Sequence, residues 1–229
     1  MNDFFWFAVL PYVSVVLFLL VTIRRYQTSK FSYSSLSSQF LENQQHFWGT
    51  VPFHYGIISV LGAHFVAIVM PRSVLWWNAA PLRLFMLEVT GLGLAILTLV
   101  GLINICLRRL ANSKARRVTS WGDWFIYGGL LVQVVTGVGI AVFHGWGSSW
   151  FAASMSPWIW SLAKLSPDVS YLATMPLLVK LHIINAFLII AVFPFTRLVH
   201  ILVAPNPYFW RKTQVVLWNW DRTRIRGTD

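Results

Sequence analysis

The sequence predicts an all-α integral membrane protein, built as a bundle of five transmembrane helices. Hydrophobic residues make up 57% of the 229 residues and charged residues only 11%, whereas about a quarter of the residues in a soluble domain are charged. Five apolar runs approach or exceed the ~20 residues that a helix needs to cross the hydrocarbon core of a bilayer. The 13 tryptophans suit the interface between lipid and water. Membrane lipid is therefore the expected surrounding of most of the chain.

The five predicted spans cover residues 4–23, 48–70, 84–107, 124–143 and 175–203. Residues 1–203 are thus expected to form one transmembrane domain, followed by a tail at residues 204–229. Asp3 precedes the first apolar run, and no lysine or arginine does. A secretory signal begins with basic residues, so we expect the first helix to be retained.

The basic residues set the expected orientation. Most of the 18 lysines and arginines follow the first, third and fifth spans, as do Arg24, Arg108 and Arg211. Cytoplasmic loops are enriched in such residues, so the N-terminus is predicted outside and the C-terminus in the cytoplasm. This topology explains the net charge of +11, and no nucleic-acid partner is expected. The single cysteine, Cys106, rules out an intrachain disulfide and a cysteine-held zinc or iron–sulfur site.

The connections between the spans differ in character. Residues 31–47 are polar and are expected to lie along the cytoplasmic surface. Four tryptophans in residues 145–168 predict a segment at the outer interface that is partly inserted; they are Trp146, Trp150, Trp158 and Trp160. Glycines recur in the second, third and fourth spans, where small residues let helices approach closely.

Four of the six histidines lie inside two of the predicted spans. His54 and His64 belong to the second span, and His182 and His200 to the fifth. Imidazole is costly inside a membrane unless something binds it. The second span runs outward and the fifth inward, so antiparallel packing would bring His54 level with His200 and His64 level with His182. Each pair could hold one iron from opposite faces, which predicts two b-type haems stacked across the membrane.

The spacings of the two histidine pairs differ. At 1.5 Å per residue, His54 and His64 lie about 15 Å apart along their helix, and His182 and His200 about 27 Å. A continuous fifth helix would present His182 and His200 on one face, because about five whole turns separate them. These spacings exclude one tetrahedral zinc ion held by all four histidines. A structural hydrogen bond or a place in a proton path is the alternative role for each histidine.

Short motifs distributed over most of the chain are similar to those of a known protein family. They are Ser37-Ser38-Gln39, Phe53-His54, Gly62-Ala63-His64, Arg108-Arg109-Leu110, Gly122-Asp123, Gln133 with Gly137, Leu181-His182, the run from Phe193 to Ile201, and Pro205, Tyr208, Arg211, Gln214 and Val215. With these motifs the chain resembles the gamma subunit of membrane-bound respiratory nitrate reductase. That family is a dihaem cytochrome b that anchors a cytoplasmic molybdenum and iron–sulfur pair.

The resemblance implies an electron conduit in the cytoplasmic (inner) membrane. Quinol would bind near the outer haem, held by His64 and His182, and electrons would pass to the inner haem, held by His54 and His200. Two imidazoles leave no open position on the iron, so such haems carry electrons and do not activate oxygen. Arg197, three residues before His200 and so on the same helix face, is expected to neutralise a propionate of the inner haem.

The resemblance also implies partners. Electrons would leave to an iron–sulfur subunit on the cytoplasmic face and then to a molybdenum catalytic subunit, which carries the nitrate chemistry. The basic cytoplasmic loops and the tail at residues 204–229, with its tryptophans, are expected to dock these partners. Two alternatives stay open: the same conduit run in reverse in a nitrite oxidoreductase-type complex, and a haem-free membrane anchor or proton-conducting protein.

Four residues are candidates for the quinol site, namely Glu88, Lys180, Arg83 and His144. Glu88 is an acid well inside a span and a candidate acceptor of quinol protons. Lys180 stands where the family has a basic residue. Arg83 lies near a position where the family often has lysine, so it is a substitute for that lysine or a sign of a different pocket. His144 ends the fourth span at the outer side.

Overall fold

The computed structural model describes residues 2–29, 32 and 44–203, with side chains for residues 2–29, 32 and 47–202, and this part of the chain is helical without strands. The helices are α1 (Leu10–Thr28, preceded by a π-helical turn at Phe5–Val9), α2 (Gln44–Val69), α3 (Pro71–Asn78), α4 (Pro81–Ala111), α5 (Ser113–Arg117), α6 (Trp121–Phe143), α7 (Gly147–Trp150), α8 (Ser156–Ala163) and α9 (Leu177–Val192). The motif at residues 37–39, most of the predicted loop at residues 31–47, and the tail at residues 204–229 lie outside the described residues.

Five of these helical stretches are long and apolar enough to cross a membrane. They are Phe5–Thr28, Phe47–Val69, Pro81–Ala111, Trp121–Phe143 and Leu177–Phe195. The predicted fold class is confirmed, while the orientation of the termini stays a prediction. We call the end of the bundle with the α2–α3–α4 corner the outer end and the end with α5 the inner end, following the predicted orientation.

The order of the helices in the bundle separates the two histidine-bearing spans. α1 packs on α9, α9 on α6, α6 on α4, and α4 along much of its length on α2. In the described part of the chain α2 and α9 share no extensive contact. The predicted antiparallel arrangement of the second and fifth spans therefore does not involve extensive direct packing in these residues, and the clamping of an iron by each histidine pair stays a prediction. The intervening α4 and α6 hold α2 and α9 apart, as a planar cofactor clamped between two helices requires.

Glycines account for the close packing of α2 on α4. A Cβ added at Gly101 would lie 2.4 Å from the backbone nitrogen of Phe53, and one added at Gly56 would lie 2.8 Å from that of Thr98. Neither contact is possible for a larger residue without moving a helix. Small residues here let the two backbones approach, as is typical of membrane helices.

The segment between α6 and α9 is built into the outer end of the bundle. Pro71 has no N–H to donate to the carbonyl of Ala67, and the hydroxyl of Ser156 on α8 donates to that carbonyl instead, at 2.8 Å. The Trp158 indole donates to the carbonyl of Phe7 at 3.1 Å, and Trp158 is only 2% exposed. Trp158 is thus covered by the first helical stretch, and the interfacial position of the segment that carries it stays a prediction.

The fifth span does not continue to residue 203 as one helix. α9 ends at Val192 and is followed by a 3-10 turn at Phe193–Phe195. Thr196 is extended, with φ −112° and ψ −179°, and a second 3-10 segment follows at Arg197–Val203. Pro194 has no N–H and so cannot donate a helical hydrogen bond. The predicted continuous helix over residues 175–203, with His182 and His200 on one face, is therefore wrong.

Candidate functional site

The inner end of the bundle brings His54 and His200 together. Their imidazole centres are 6.4 Å apart and their ring planes cross at 67°. Two imidazoles that share one metal ion have centres about 6 Å apart, because each metal–nitrogen bond is about 2 Å. The distance between the two rings therefore suits one ion held from both sides.

Hydrogen bonds fix which nitrogen of each inner ring is free to bind a metal. The Nδ1 of His54 lies 2.8 Å from the carbonyl of Thr50, and the Nδ1 of His200 lies 2.6 Å from the carbonyl of Arg197. A carbonyl can only accept, so each Nδ1 carries the proton and donates it. The lone pair of each ring is thus on Nε2, and the other nitrogen donates to an acceptor, as is usual for a metal-binding histidine.

The outer pair consists of one ring near the surface and one that is well enclosed. The Nδ1 of His64 donates to the carbonyl of Val60 at 2.8 Å, so its lone pair is also on Nε2. The His64 ring lies edge-on to Phe151, with centres 5.1 Å apart. His182 packs against α6, where a Cβ on Gly137 would lie 3.1 Å from Cε1 of its ring. Glycine at this position leaves room for the imidazole.

His182 differs from the other three histidines because side chains contact both of its nitrogens. Gln133 Nε2 lies 3.0 Å from His182 Nε2, and Thr136 Oγ1 lies 2.9 Å from His182 Nδ1. Asn185 donates to the Gln133 side chain at 2.7 Å. Sequence reasoning missed Thr136 and Asn185 and used Gln133 only as a motif residue. The available signal was a polar amide inside an apolar span, which needs a hydrogen-bond partner.

Glu88 fastens the outer connection to α4. Its carboxylate accepts hydrogen bonds from the Ser148 N–H at 2.9 Å, the Ser148 hydroxyl at 2.6 Å and the Gly147 N–H at 3.2 Å. Asn78 holds the same turn by donating to the hydroxyls of Ser148 and Ser149, at 2.9 and 3.0 Å. Both carboxylate oxygens are engaged, so the structure places Glu88 as an anchor of this turn.

Lys180 and Arg83 also have partners of their own. Lys180 pairs with Asp3 at 2.7 Å and so ties α9 to the beginning of the chain. The guanidinium of Arg83 lies 4.8 Å from the ring centre of Trp76 and 5.3 Å from that of Trp77, and it donates to both of their carbonyls. Both cations thus fasten the outer end of the bundle, and a role for either in quinol binding stays a prediction.

His144 lines a cleft at the outer end. The cleft has a volume of about 250 Å³ and is formed by His144, Gly145, Trp150, Met175, Pro176 and Val179. Its walls are mostly apolar, and His144 offers the polar group. Val179 lies one turn before His182 on α9, so the cleft opens beside the helix that carries an outer histidine. The cleft thus combines mostly apolar walls with one titratable side chain, a composition typical of small-molecule sites.

At the inner end Arg197 is engaged with Asp123. The two side chains form an ion pair at 2.5 Å in which Asp123 is 3% exposed and Arg197 is 17% exposed. Arg197 also donates to the carbonyl of Val118 at 2.8 Å. Asp123 caps α6 in a reciprocal arrangement with Ser120. Arg197 therefore joins the segment carrying His200 to the start of α6, and its expected role toward a propionate stays a prediction.

Two of the basic residues expected in a docking surface are interior. Arg108 and Arg109 are 4% and 6% exposed. Arg109 donates to the hydroxyl of Thr119 at 2.8 Å and lies 5.2 Å from the ring centre of Tyr127. Both side chains are therefore buried in the bundle, and Arg109 links the end of α4 to residues 119 and 127. The tail tryptophans and arginines lie outside the described residues.

The chain is similar to gamma subunits of nitrate reductases over nearly all of its length. The family model described as nitrate reductase gamma subunit matches residues 3–219. The nitrate reductase gamma chain of Bacillus subtilis is 30% identical, covering 89% of this chain and 93% of that protein. The respiratory nitrate reductase 2 gamma chain of Escherichia coli is 28% identical, covering 93% and 95%. A nitrate reductase-like protein of Mycobacterium tuberculosis is 30% identical over 92% of this chain, which corresponds to 33% of that longer protein.

Proposed function

The chain belongs to the nitrate reductase gamma subunit family, and we propose that it passes electrons between a quinol site at its outer end and an iron–sulfur subunit on the cytoplasmic face. Membership makes it a membrane cytochrome b subunit of an oxidoreductase complex and a multi-pass protein of the inner membrane. The nitrate chemistry would then belong to a molybdenum subunit of the same complex.

The arrangement of His54 and His200 carries the proposal. Their ring centres lie 6.4 Å apart with planes crossing at 67°, and each ring has its lone pair on Nε2 because each Nδ1 donates to a carbonyl. They would hold the inner haem, and His64 with His182 would hold the outer one. When bound, each bis-histidine haem takes up and releases one electron without binding oxygen.

The residues at the outer end support a site for the quinol ring. The cleft beside His144 is mostly apolar, and its wall includes Gly145, next to the turn that Glu88 fastens. His144 would orient a hydroxyl of the quinol, and Glu88 would hold the wall in place or take up a proton. Lys180 would hold this end of the bundle in place through its ion pair with Asp3. Arg83 would do so through its contacts with the two tryptophans of α3. Protons released outside and electrons delivered inside would together charge the membrane.

A potentiometric titration of the haem bands in the intact complex tests this function, with and without an inhibitor that competes with quinol. We expect two low-spin b-type haems, of which one shifts in potential when the inhibitor binds. Two haems whose potentials are unchanged by the inhibitor would favour the same conduit run in reverse, as in a nitrite oxidoreductase-type complex. The absence of reducible haem would overturn the proposal in favour of a haem-free anchor or proton-conducting protein.

A further inference from the structure

Two backbone carbonyls determine which group donates and which accepts in each hydrogen bond around His182. At one end, Asn185 Nδ2 lies 2.9 Å from the carbonyl of Gly129, which can only accept. The same Asn185 amide group therefore donates to Gln133 Oε1 at 2.7 Å. Gln133 must then point its own amide nitrogen, a donor only, at His182 Nε2. It follows that Nε2 of His182 carries the lone pair.

At the other end of this series of hydrogen bonds, Thr136 determines that the proton of His182 is on Nδ1. The Thr136 hydroxyl donates to the carbonyl of Val132 at 2.7 Å, so its oxygen is free to accept. His182 Nδ1, 2.9 Å away, must carry the proton and donate it to Thr136. Gln133 thus donates to the nitrogen that would bind iron, so its amide would have to move when haem binds. The hydrogen bond between Nδ1 and Thr136 can persist.

This bond sets His182 apart from the other predicted ligands. In His54, His64 and His200 the Nδ1 proton goes to a backbone carbonyl three or four residues earlier, which a side-chain substitution cannot remove. In His182 it goes from α9 to a hydroxyl on α6. An acceptor at Nδ1 fixes the orientation of a ligating imidazole and makes it a stronger electron donor.

We propose that Thr136 is a positioning residue for the outer haem, which fixes the ring of His182 and lowers the reduction potential of that haem. The inference rests on the proposed assignment of His182 as an axial ligand. A more basic ligand stabilises ferric over ferrous iron, so loss of the Thr136 oxygen should favour the reduced haem. The side chain touches neither quinol nor iron and acts through His182 alone.

The test is Thr136→Val in the complete membrane complex, which removes the hydroxyl and keeps the shape of the side chain. We expect the midpoint potential of one haem to rise and the low-spin electron paramagnetic resonance signal of the same haem to shift. The second haem should be unchanged. Thr136→Ser keeps the acceptor and should restore the wild-type values.

Thr28→Val is the matched control. The Thr28 hydroxyl makes the same kind of bond to the carbonyl four residues earlier, that of Arg24, at 2.9 Å, but lies exposed at the inner end of α1. Both haems should keep their potentials in this variant. If Thr136→Val does not assemble, Thr136→Ala removes the same acceptor with less bulk and is read in the same way.

Two results distinguish the failure of the inference from the failure of the proposed function. Wild-type potentials and signals in a Thr136→Val or Thr136→Ala variant that retains both haems would overturn the role of Thr136 and leave the ligand assignment intact. A wild-type complex without two b-type haems would overturn the proposed function itself, before any variant is made.

Discussion

The rings of His54 and His200 are neighbours, with centres 6.4 Å apart and planes crossing at 67°, although one lies on α2 and the other follows the break that ends α9. The extended Thr196 and the ion pair of Arg197 with Asp123 set the course of the chain just before His200. The break therefore takes part in forming the inner site, since a straight continuation of α9 would place His200 elsewhere.

Replacing either inner histidine by alanine should remove one haem and leave the other. His54→Ala and His200→Ala each delete one of two axial ligands, and the haem content should fall by about half. The measurement is the pyridine haemochrome content of purified complex, together with its low-spin signals. His144→Ala should keep both haems, because His144 is not one of the four predicted ligands. Loss of both haems in each inner variant would contradict the pairing.

Replacing an outer histidine should remove the other haem together with reactivity toward quinol. In His64→Ala and His182→Ala the inner pair is intact, so one low-spin signal should persist. Because quinol would deliver electrons to the outer haem, reduction of the remaining haem by quinol should slow by more than about tenfold. Stopped-flow absorbance measures this rate, with dithionite reduction as the check that the remaining haem is competent. Fast reduction by quinol in both variants would place the quinol site elsewhere.

The number and approximate position of the spans follow from hydropathy, because bilayer thickness sets the length of an apolar helix. The same reasoning extended the fifth span to residue 203. Pro194 interrupts that span, because it has no N–H for the helical hydrogen bond. The chain is apolar on both sides of Pro194, so hydropathy alone could not detect a break at this position.

The positions of the histidines were predictable, whereas most of their surroundings were not. Whether Thr136 or a neighbour one turn away reaches His182 depends on the rotation of α6 about its axis. That rotation is set by packing on α4 and α9. In the same way, Glu88 was recognisable as an acid in a span, but its donors Gly147 and Ser148 come from a turn that lies far along the sequence.

Glu88→Gln should slow quinol oxidation while both haem spectra stay intact. The carboxylate already accepts from Ser148 and Gly147, so we expect it to act by holding the turn beside the cleft. Displacement of a binding wall by about 1 Å can cost up to about 100-fold in rate. Ser148→Ala, which removes one of these bonds and keeps the carboxylate, should therefore slow the reaction as well.

The quinol oxidation rate of the two variants, measured side by side, separates the roles of Glu88. Ser73→Ala is the control, since Ser73 is exposed on α3, and its rate should equal that of the wild type. A slow Glu88→Gln variant beside an unaffected Ser148→Ala variant would contradict the anchoring role. That outcome would instead identify Glu88 as the acceptor of quinol protons.

Breaking the ion pair between Asp123 and Arg197 should destabilise the inner end more than removing both charges. Asp123→Asn leaves the Arg197 charge in a largely buried position, and loss of one partner of a buried pair costs about 3 kcal/mol or more. In the double variant Asp123→Asn with Arg197→Gln no charge is left unpaired, so part of this loss should be recovered. Thermal unfolding of the complex, followed by the absorbance of the inner haem, measures both. Arg116→Gln, an exposed arginine on α5, should change the transition little. A double variant that is no more stable than Asp123→Asn would show that the pair contributes little to holding His200 near His54.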